Sequence, residues 1–160
     1  MLPSTPSAVS APRFAVAAMR DPHRSAEPLQ RIQIIKGWFE DGEKREAVYD
    51  VAGDPNNGAQ VDRNSCETSG PGFGQLCRVW TDPDFDPDQR AFYYARVVEN
   101  PSCRWSHRQC LAAEVDCDDP DGPPEGFEGC CDDRYPETIQ ERAWTSPIWY
   151  RPAAAEAPAS

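Results

Sequence analysis

Cysteines are the residues of this chain with the clearest potential for chemistry, and five of the seven lie between positions 103 and 131. None belongs to a C-x-x-C pair, the spacing typical of zinc ribbons and thiol oxidoreductases. A high cysteine content without these motifs favours disulfide bonds, which persist in oxidising compartments. We therefore expect a periplasmic or extracellular protein.

The first predicted bridge joins Cys66 to Cys77. These residues flank the segment ETSGPGFGQL, which is rich in glycine. Glycine adopts backbone conformations that other residues avoid, so this segment could reverse direction and bring the two Cα atoms within about 6 Å, a usual distance for a disulfide. The sequence therefore predicts a Cys66–Cys77 disulfide that closes this loop.

The remaining cysteines are crowded into one later segment. Cys103, Cys110 and Cys117 recur every seven residues. On a helix, successive members of this series would lie about 10 Å apart, which exceeds the limit of about 7 Å between bridged Cα atoms. We therefore expect Cys110 and Cys117 to reach across to Cys130 and Cys131, and one cysteine of the chain to stay free.

Histidines, the usual nitrogen ligands of a catalytic metal, number only two: His23 and His107. Neither belongs to an H-x-H, H-E-x-x-H or H-x-x-x-H pattern, which would place two imidazoles on one ion. We therefore predict no catalytic residue, no metal-dependent active site and no cofactor in this chain. His107 is expected to lie at the solvated surface.

Two acidic segments carry enough oxygen atoms to contact a hard cation such as Ca²⁺. In CDDPDGPPEGFE, Asp119, Asp121 and Glu128 occupy the third, fifth and twelfth positions of an EF-hand loop, but a cysteine stands first and two prolines follow the glycine. These departures argue against an EF-hand and leave the three residues as weak candidates for an irregular Ca²⁺ contact. TDPDFDPD, at 81–88, is better explained by tight Asp-Pro turns whose charges face water.

The overall charge excludes one class of partner. The formal net charge of −11 and a pI near 4.5 give a surface that repels phosphate backbones. We therefore expect no nucleic-acid binding. The opening segment, 1–20, is interrupted by three prolines and offers neither a signal peptide nor a membrane span.

The elements that must position these residues are mainly strands. Seventeen prolines and ten glycines predict many turns and few long helices. Residues 29–38 alternate as in a half-buried strand and form a plausible hairpin with 46–52. We expect a sandwich-like antiparallel β domain at 13–150, with flexible ends at 1–12 and 151–160. Further strands are predicted at 14–19, 76–80, 91–99 and 142–150, and the expected core residues are Ile32, Ile34, Tyr94 and Trp144.

The segment 100–141 is predicted to be an irregular, cysteine-rich insert between two strands. It contains one plausible short helix at 107–115, which Ser106 could cap. Between 117 and 133, Phe127 is the only large apolar side chain apart from the cysteines. Packing alone should not order such a segment, so we expect disulfides to hold it.

Five phrases of the sequence carry a family resemblance. RIQIIKGW, VYDVAGDPNNGA, FYYARVVENPSCRWS, CCDDRYP and ERAWTSPIWY resemble, in this order, the C-terminal end of the bacterial domain-of-unknown-function 3604 family, whose members are similar to PHP-type metal-dependent phosphoesterases. The similarity spans about 11–150. It implies a longer parent chain with an export signal and an upstream, histidine-rich metallohydrolase domain that binds the divalent metal. No catalytic residue is transferred to the present sequence.

Two functional hypotheses follow. In the first, the chain is a C-terminal accessory β module, a fragment of an exported PHP-like hydrolase, and its partner is the upstream domain of the same parent. In the second, it is a free-standing secreted binding module that uses its aromatic residues as a contact surface and contacts Ca²⁺ through its acidic loops.

Overall fold

The computed structural model describes residues 9–23 and 26–152. Antiparallel strands dominate this part of the chain, so the predicted mainly β fold with one short α-helix is confirmed. The flexible ends predicted at 1–12 and 151–160 lie outside the described residues except for 9–12 and 151–152, which belong to no helix or strand. The elements are β1 (Arg13–Met19), β2 (Leu29–Glu40), β3 (Glu43–Gly53), β4 (Gln60–Val61), β5 (Thr68–Ser69), β6 (Gln75–Thr81), β7 (Ala91–Cys103), α1 (Trp105–Ala112), a 3₁₀ helix (Glu128–Cys131), β8 (Thr138–Trp144) and β9 (Ile148–Tyr150).

The largest sheet has the order β3-β2-β7-β8, and β9 also pairs with β7. The predicted hairpin between β2 and β3 is present, and β7 lies against the other edge of β2. The strand predicted at 142–150 is two strands, because Pro147 has no N–H group to donate to the ladder. The backbone N–H of Thr145 still donates a hydrogen bond to the Ala95 carbonyl at 3.1 Å.

A second sheet, formed by β1 and β6, packs on one face of the large sheet, which we call the inner face. Val16 of β1 and Leu76 of β6 meet Ile32 there, and Phe14 and Trp80 pack beside Ile34. Ile32 and Ile34 are 0% and 2% exposed, as expected of core residues. The prediction that β2 is only half-buried was wrong, because most of its residues are buried on both faces of the sheet.

The prediction that Tyr94 and Trp144 belong to the core was wrong. Tyr93 occupies the core at 1% exposure, whereas Trp144 is 61% exposed. The register explains both errors: Tyr93 lies opposite Lys36 on the inner face, while Tyr94 lies opposite Ile35 on the outer face. Trp144 lies opposite Arg96, which also faces outward.

The helix begins and ends earlier than predicted. β7 continues to Cys103, so α1 starts at Trp105 instead of residue 107, and its N-cap residue, Arg104, makes no side-chain capping bond. The chain leaves the helical path at Glu114, whose φ of 52° is left-handed. In the described ranges, 9–23 and 26–152, no helix has the length and apolar character that crossing a membrane requires.

Candidate functional site

Cys66 forms a disulfide with Cys103, at a Cα–Cα distance of 5.6 Å, and the predicted Cys66–Cys77 pairing was wrong. The segment between Cys66 and Cys77 does not close on itself because its backbone pairs elsewhere. Its first residues form β5 against β4, and Phe73 pairs with Leu29 of the large sheet. Cys77 then lies in β6 opposite β1, where it is a free and exposed cysteine.

The insert contains the other two bridges. Cys110 pairs with Cys130 at a Cα–Cα distance of 5.8 Å, and Cys117 pairs with Cys131 at 5.4 Å. The prediction that Cys110 and Cys117 pair with Cys130 and Cys131 is therefore confirmed. They fasten α1 and the loop after it to the 3₁₀ helix, in a segment where no residue of that helix or of α1 is buried.

The weak Ca²⁺ candidates Asp119, Asp121 and Glu128 take part in two separate local hydrogen bonds. Asp119 accepts a hydrogen bond from the Asp121 backbone N–H at 2.9 Å, which forms a local turn. Glu128 accepts one from the Gly126 N–H at 3.1 Å, and its own backbone N–H, followed by that of Gly126, holds the pKa of Glu128 below its usual value. Among residues 9–23 and 26–152, these carboxylates form no group whose ligand atoms converge.

One group of possible metal ligands does converge in the described part of the chain. It consists of the sulfur atoms of Cys66 and Cys103 and a ring nitrogen of His107, which all lie within 4.8 Å of one another. The His107 Nε2 is 2.7 Å from the carbonyl oxygen of Arg63. His107, predicted to be solvated, is therefore partly buried beside a disulfide, while His23 is exposed.

A buried ion pair that was not predicted from the sequence links β2 to the loop after β6. Lys36 Nζ lies 2.7 Å from the Asp82 carboxylate and donates a hydrogen bond to the Asp84 carbonyl at 2.7 Å. Tyr93 donates its hydroxyl hydrogen to Asp82 at 2.7 Å. Burial, and then the neighbouring Asp82, raise the pKa of Tyr93 far above its usual value.

The role of this ion pair is structural. The side chains of Lys36 and Asp82 are 3% and 0% exposed, so neither can meet a substrate from solvent. The expectation that every aspartate of TDPDFDPD faces water was wrong for Asp82, although Asp84 and Asp86 are exposed. The pair holds the Asp-Pro loop against the central strand.

The outer face of the large sheet presents a row of aromatic side chains. We define the outer aromatic face as Phe39, Phe92, Tyr94, Trp144 and Trp149. The strand register places these residues on one side, since Phe92 lies opposite Trp149 and Gly37. Phe39, Trp144 and Trp149 are 65%, 61% and 65% exposed.

Gly37 forms the floor of this surface. A Cβ atom at this position would lie 2.3 Å from the Phe92 ring, so only glycine lets that ring lie against the sheet. The Phe92 ring is also 5.3 Å from the Trp149 ring, measured between centroids. A groove of about 670 Å³ is formed here, and Phe39, Phe92 and Trp149 line it.

Polar side chains border the outer aromatic face. Gln33 donates to Asp50 at 2.8 Å and accepts from Arg96 at 2.8 Å, so three neighbouring strands are joined by one hydrogen-bonded chain. Arg31 adds an ion pair with Asp50 at 3.2 Å. An apolar surface with a polar, hydrogen-bonded border is the usual composition of a protein interface.

Comparison with known proteins gives one family match. Residues 2–152 match the family described as "Protein of unknown function (DUF3604)". No curated protein and no solved structure matches the chain.

Proposed function

Because the chain belongs to the DUF3604 family, which matches it over residues 2–152, we propose that it is the accessory β module of an exported, PHP-like metal-dependent hydrolase. In this proposal the module has no catalytic site of its own and packs against the hydrolase domain of its parent chain. The observation that carries the proposal is the exposed outer aromatic face.

The outer aromatic face has the properties of a surface that packs against another domain. Large apolar side chains that are exposed next to one another are uncommon on soluble monomers and typically mark interaction sites. Phe39, Trp144 and Trp149 each expose more than half of their side chain. Tryptophan and other aromatic residues dominate the energetics of protein interfaces, because each covers a large area with few rotatable bonds. A hydrolase domain of the same parent chain is the occupant to which we commit.

The ligands available in the chain support the absence of its own hydrolytic centre. The metallohydrolase domain that the family resemblance implies is histidine-rich. In residues 9–23 and 26–152 the one convergent group contains two bridged cysteines and a single histidine. These residues do not fit such a centre, so the divalent metal belongs, in this proposal, to the hydrolase domain.

The three disulfides support the proposed location. Disulfides persist in the periplasm and outside the cell and are rare in a reducing cytosol. The bridges Cys110–Cys130 and Cys117–Cys131 lie in a segment with few apolar residues. A reducing compartment would therefore remove much of what holds the insert.

The DNA upstream of the Met1 codon provides the first test. An in-frame continuation into H-x-H motifs supports the proposal, and its product can be made as a separate hydrolase domain. We expect this domain to bind the present chain in calorimetry. Trp149→Ala should weaken the affinity by at least about 30-fold, as for a central interface residue.

Trp105→Ala is the matched control, because Trp105 is 73% exposed but lies on α1, away from the outer aromatic face. Equal losses in Trp149→Ala and Trp105→Ala would contradict the assignment of the interface. Absence of binding to the hydrolase domain, together with binding of Ca²⁺ or a secreted ligand by the chain alone, would favour the free-standing module.

Activity gives an independent test. The purified, oxidised chain should not hydrolyse an aryl phosphate ester in the presence of Zn²⁺, Mn²⁺ or Mg²⁺, because both cysteines of the convergent group are bonded in a disulfide and only one histidine is left as a ligand. Turnover that is proportional to the purified chain and abolished by a chelator would refute the absence of a catalytic site.

A further inference from the structure

We propose that Cys66, Cys103 and His107 form a binding site for a thiophilic divalent cation of the Zn²⁺ class when the disulfide between the two cysteines is reduced. The site would alternate between a disulfide in an oxidising compartment and a metal centre in a reducing one. This inference is independent of the proposed function.

The three side chains reach the site from separate parts of the fold. Cys66 lies in the turn after β4, Cys103 is the last residue of β7, and His107 lies in the first turns of α1. Their ligand atoms are within 4.8 Å of one another. Two thiolates and one imidazole, with a fourth position open to water, form an established ligand set for Zn²⁺.

The backbone around the site is fixed by bonds other than the disulfide. The Cys66 N–H donates to the Asp62 carbonyl at 2.7 Å and fixes the turn that carries Cys66. Arg63 joins this turn to the rest of the site, since its carbonyl oxygen is 2.7 Å from the His107 Nε2 and its guanidinium pairs with Glu137 at 3.2 Å. Because neither contact includes a sulfur atom, we expect the two cysteines to stay close enough after reduction to share one ion.

The hydrogen bond of His107 determines which ring nitrogen is left to bind a cation. A carbonyl oxygen can only accept, so the 2.7 Å contact with Arg63 means that Nε2 carries the hydrogen and donates it. The lone pair is then on Nδ1. Histidine ligands of metal ions usually donate their second ring N–H to a carbonyl or carboxylate, which fixes the tautomer and the orientation of the ring.

The chemistry balances with a dithiol as reductant. The dithiol gives two electrons and two protons, the Cys66–Cys103 bond breaks, two thiols form, and the dithiol becomes a cyclic disulfide. Zn²⁺ then displaces the two thiol protons, so two thiolates neutralise its charge at a place where Cys66 and Cys103 are 7% and 5% exposed. Sulfur and imidazole ligands favour Zn²⁺ over the hard cations Ca²⁺ and Mg²⁺.

Site-specific alkylation tests the proposal. The chain is reduced with a phosphine, which becomes a phosphine oxide by taking oxygen from water, and is then alkylated with and without one equivalent of Zn²⁺. We expect Zn²⁺ to slow the alkylation of Cys66 and Cys103 by on the order of tenfold or more, measured by peptide mass spectrometry. Cys77, which is free and exposed, is the internal reference and should react at one rate throughout.

His107→Ala should remove most of this protection, and His107→Cys, which supplies another zinc ligand, should restore it. His23→Ala is the matched control, since His23 is the other histidine and is exposed. Equal alkylation rates with and without Zn²⁺ would overturn the proposal, whether or not the reduced chain keeps its fold. Protection that His107→Ala leaves intact would overturn the role of the histidine.

Discussion

The Nζ atom of Lys36 lies 2.7 Å from the carboxylate of Asp82, and the two side chains are 3% and 0% exposed. Each charge has further partners, because Lys36 also donates to the Asp84 carbonyl and Asp82 also accepts from Tyr93. Buried charges persist in proteins when they are paired and their remaining hydrogen-bonding capacity is used. The pair thus joins the central strand β2 to the loop that leads into β7.

Breaking this pair should be costly. Lys36→Met leaves the Asp82 carboxylate buried without its cation, and the loss of one partner from a buried pair typically costs about 3 to 5 kcal/mol. We expect a loss of this size in the free energy of unfolding, measured by urea denaturation. Arg45→Met is the matched control, since the ion pairs of Arg45 with Glu40 and Glu43 are exposed. It should cost less than about 1 kcal/mol, and equal losses in the two variants would contradict this account.

Tyr93 should make the protein sensitive to alkaline pH. Its pKa in the folded chain is raised above the usual 10.0, first by burial and then by the hydrogen bond to Asp82. The neutral form is therefore favoured on folding, and this contribution to stability is complete below the unfolded pKa and is lost as the pH rises through the folded one. The free energy of unfolding should fall by about 1.4 kcal/mol per pH unit per such tyrosine above about pH 10.

Tyr93→Phe keeps the ring but cannot ionise, so its unfolding free energy should depend less steeply on pH in this range. Urea denaturation of both proteins between about pH 8 and pH 11 measures the difference. Tyr49, whose pKa is also raised by burial and then by Asp84, is expected to leave a smaller dependence in the variant. Parallel curves for the two proteins would show that Tyr93 ionises as freely in the folded chain as in the unfolded one.

The sequence predicted strands well because their alternation is local. The positions of β2, β3 and β7 follow from apolar and β-branched residues within each segment. Which face of a strand is buried depends on its register with neighbours, and a shift of one residue exchanges the two faces. This is why Tyr94 was placed in the core instead of Tyr93.

The long-range pairings could not be read from spacing. Cys66 pairs with Cys103 across 37 residues because β4, β5 and β7 meet in the fold, whereas sequence proximity favoured Cys77. The ion pair of Lys36 did leave a signal. Lys36 lies within the apolar run IIKGW, two residues after Ile34, so its side chain must be on the same face of the strand as Ile34. A lysine that faces the core requires a buried carboxylate as its partner.

Two aromatic substitutions should distinguish a core residue from a residue of the outer aromatic face by their cost in unfolding free energy. Tyr93 is 1% exposed and packs beside Phe14, with ring centroids 4.9 Å apart, so Tyr93→Ala should cost roughly 3 to 5 kcal/mol. Trp144 is 61% exposed, so Trp144→Ala should cost less than about 1 kcal/mol in the isolated chain. Thermal and urea denaturation measure both values. A large loss in Trp144→Ala alone would show that its ring is buried and would remove it from the proposed interface.

The disulfide pattern predicts which thiol reacts without reduction. Cys77 is the free cysteine among the seven, all of which lie in the described residues, and it is exposed. Under non-reducing conditions we therefore expect iodoacetamide to label Cys77 and to leave Cys66 unlabelled. Peptide mapping of the chain after oxidative folding provides the measurement. Labelling of Cys66 together with protection of Cys77 would contradict the Cys66–Cys103 bridge.

The same pattern predicts the cost of removing the bridge. Cys66 and Cys103 are separated by 37 residues, and a loop of this length gives a disulfide contribution of about 4 kcal/mol when the bridge acts by restricting the unfolded chain. Replacing both cysteines by serine should therefore lower the free energy of unfolding by about this amount. Cys77→Ser is the control and should change it by less than about 1 kcal/mol, because the Cys77 side chain is exposed and unbridged. If the double replacement cost no more than Cys77→Ser, the turn after β4 would be held to β7 by its hydrogen bonds alone, and the disulfide would be free to open without loss of the fold.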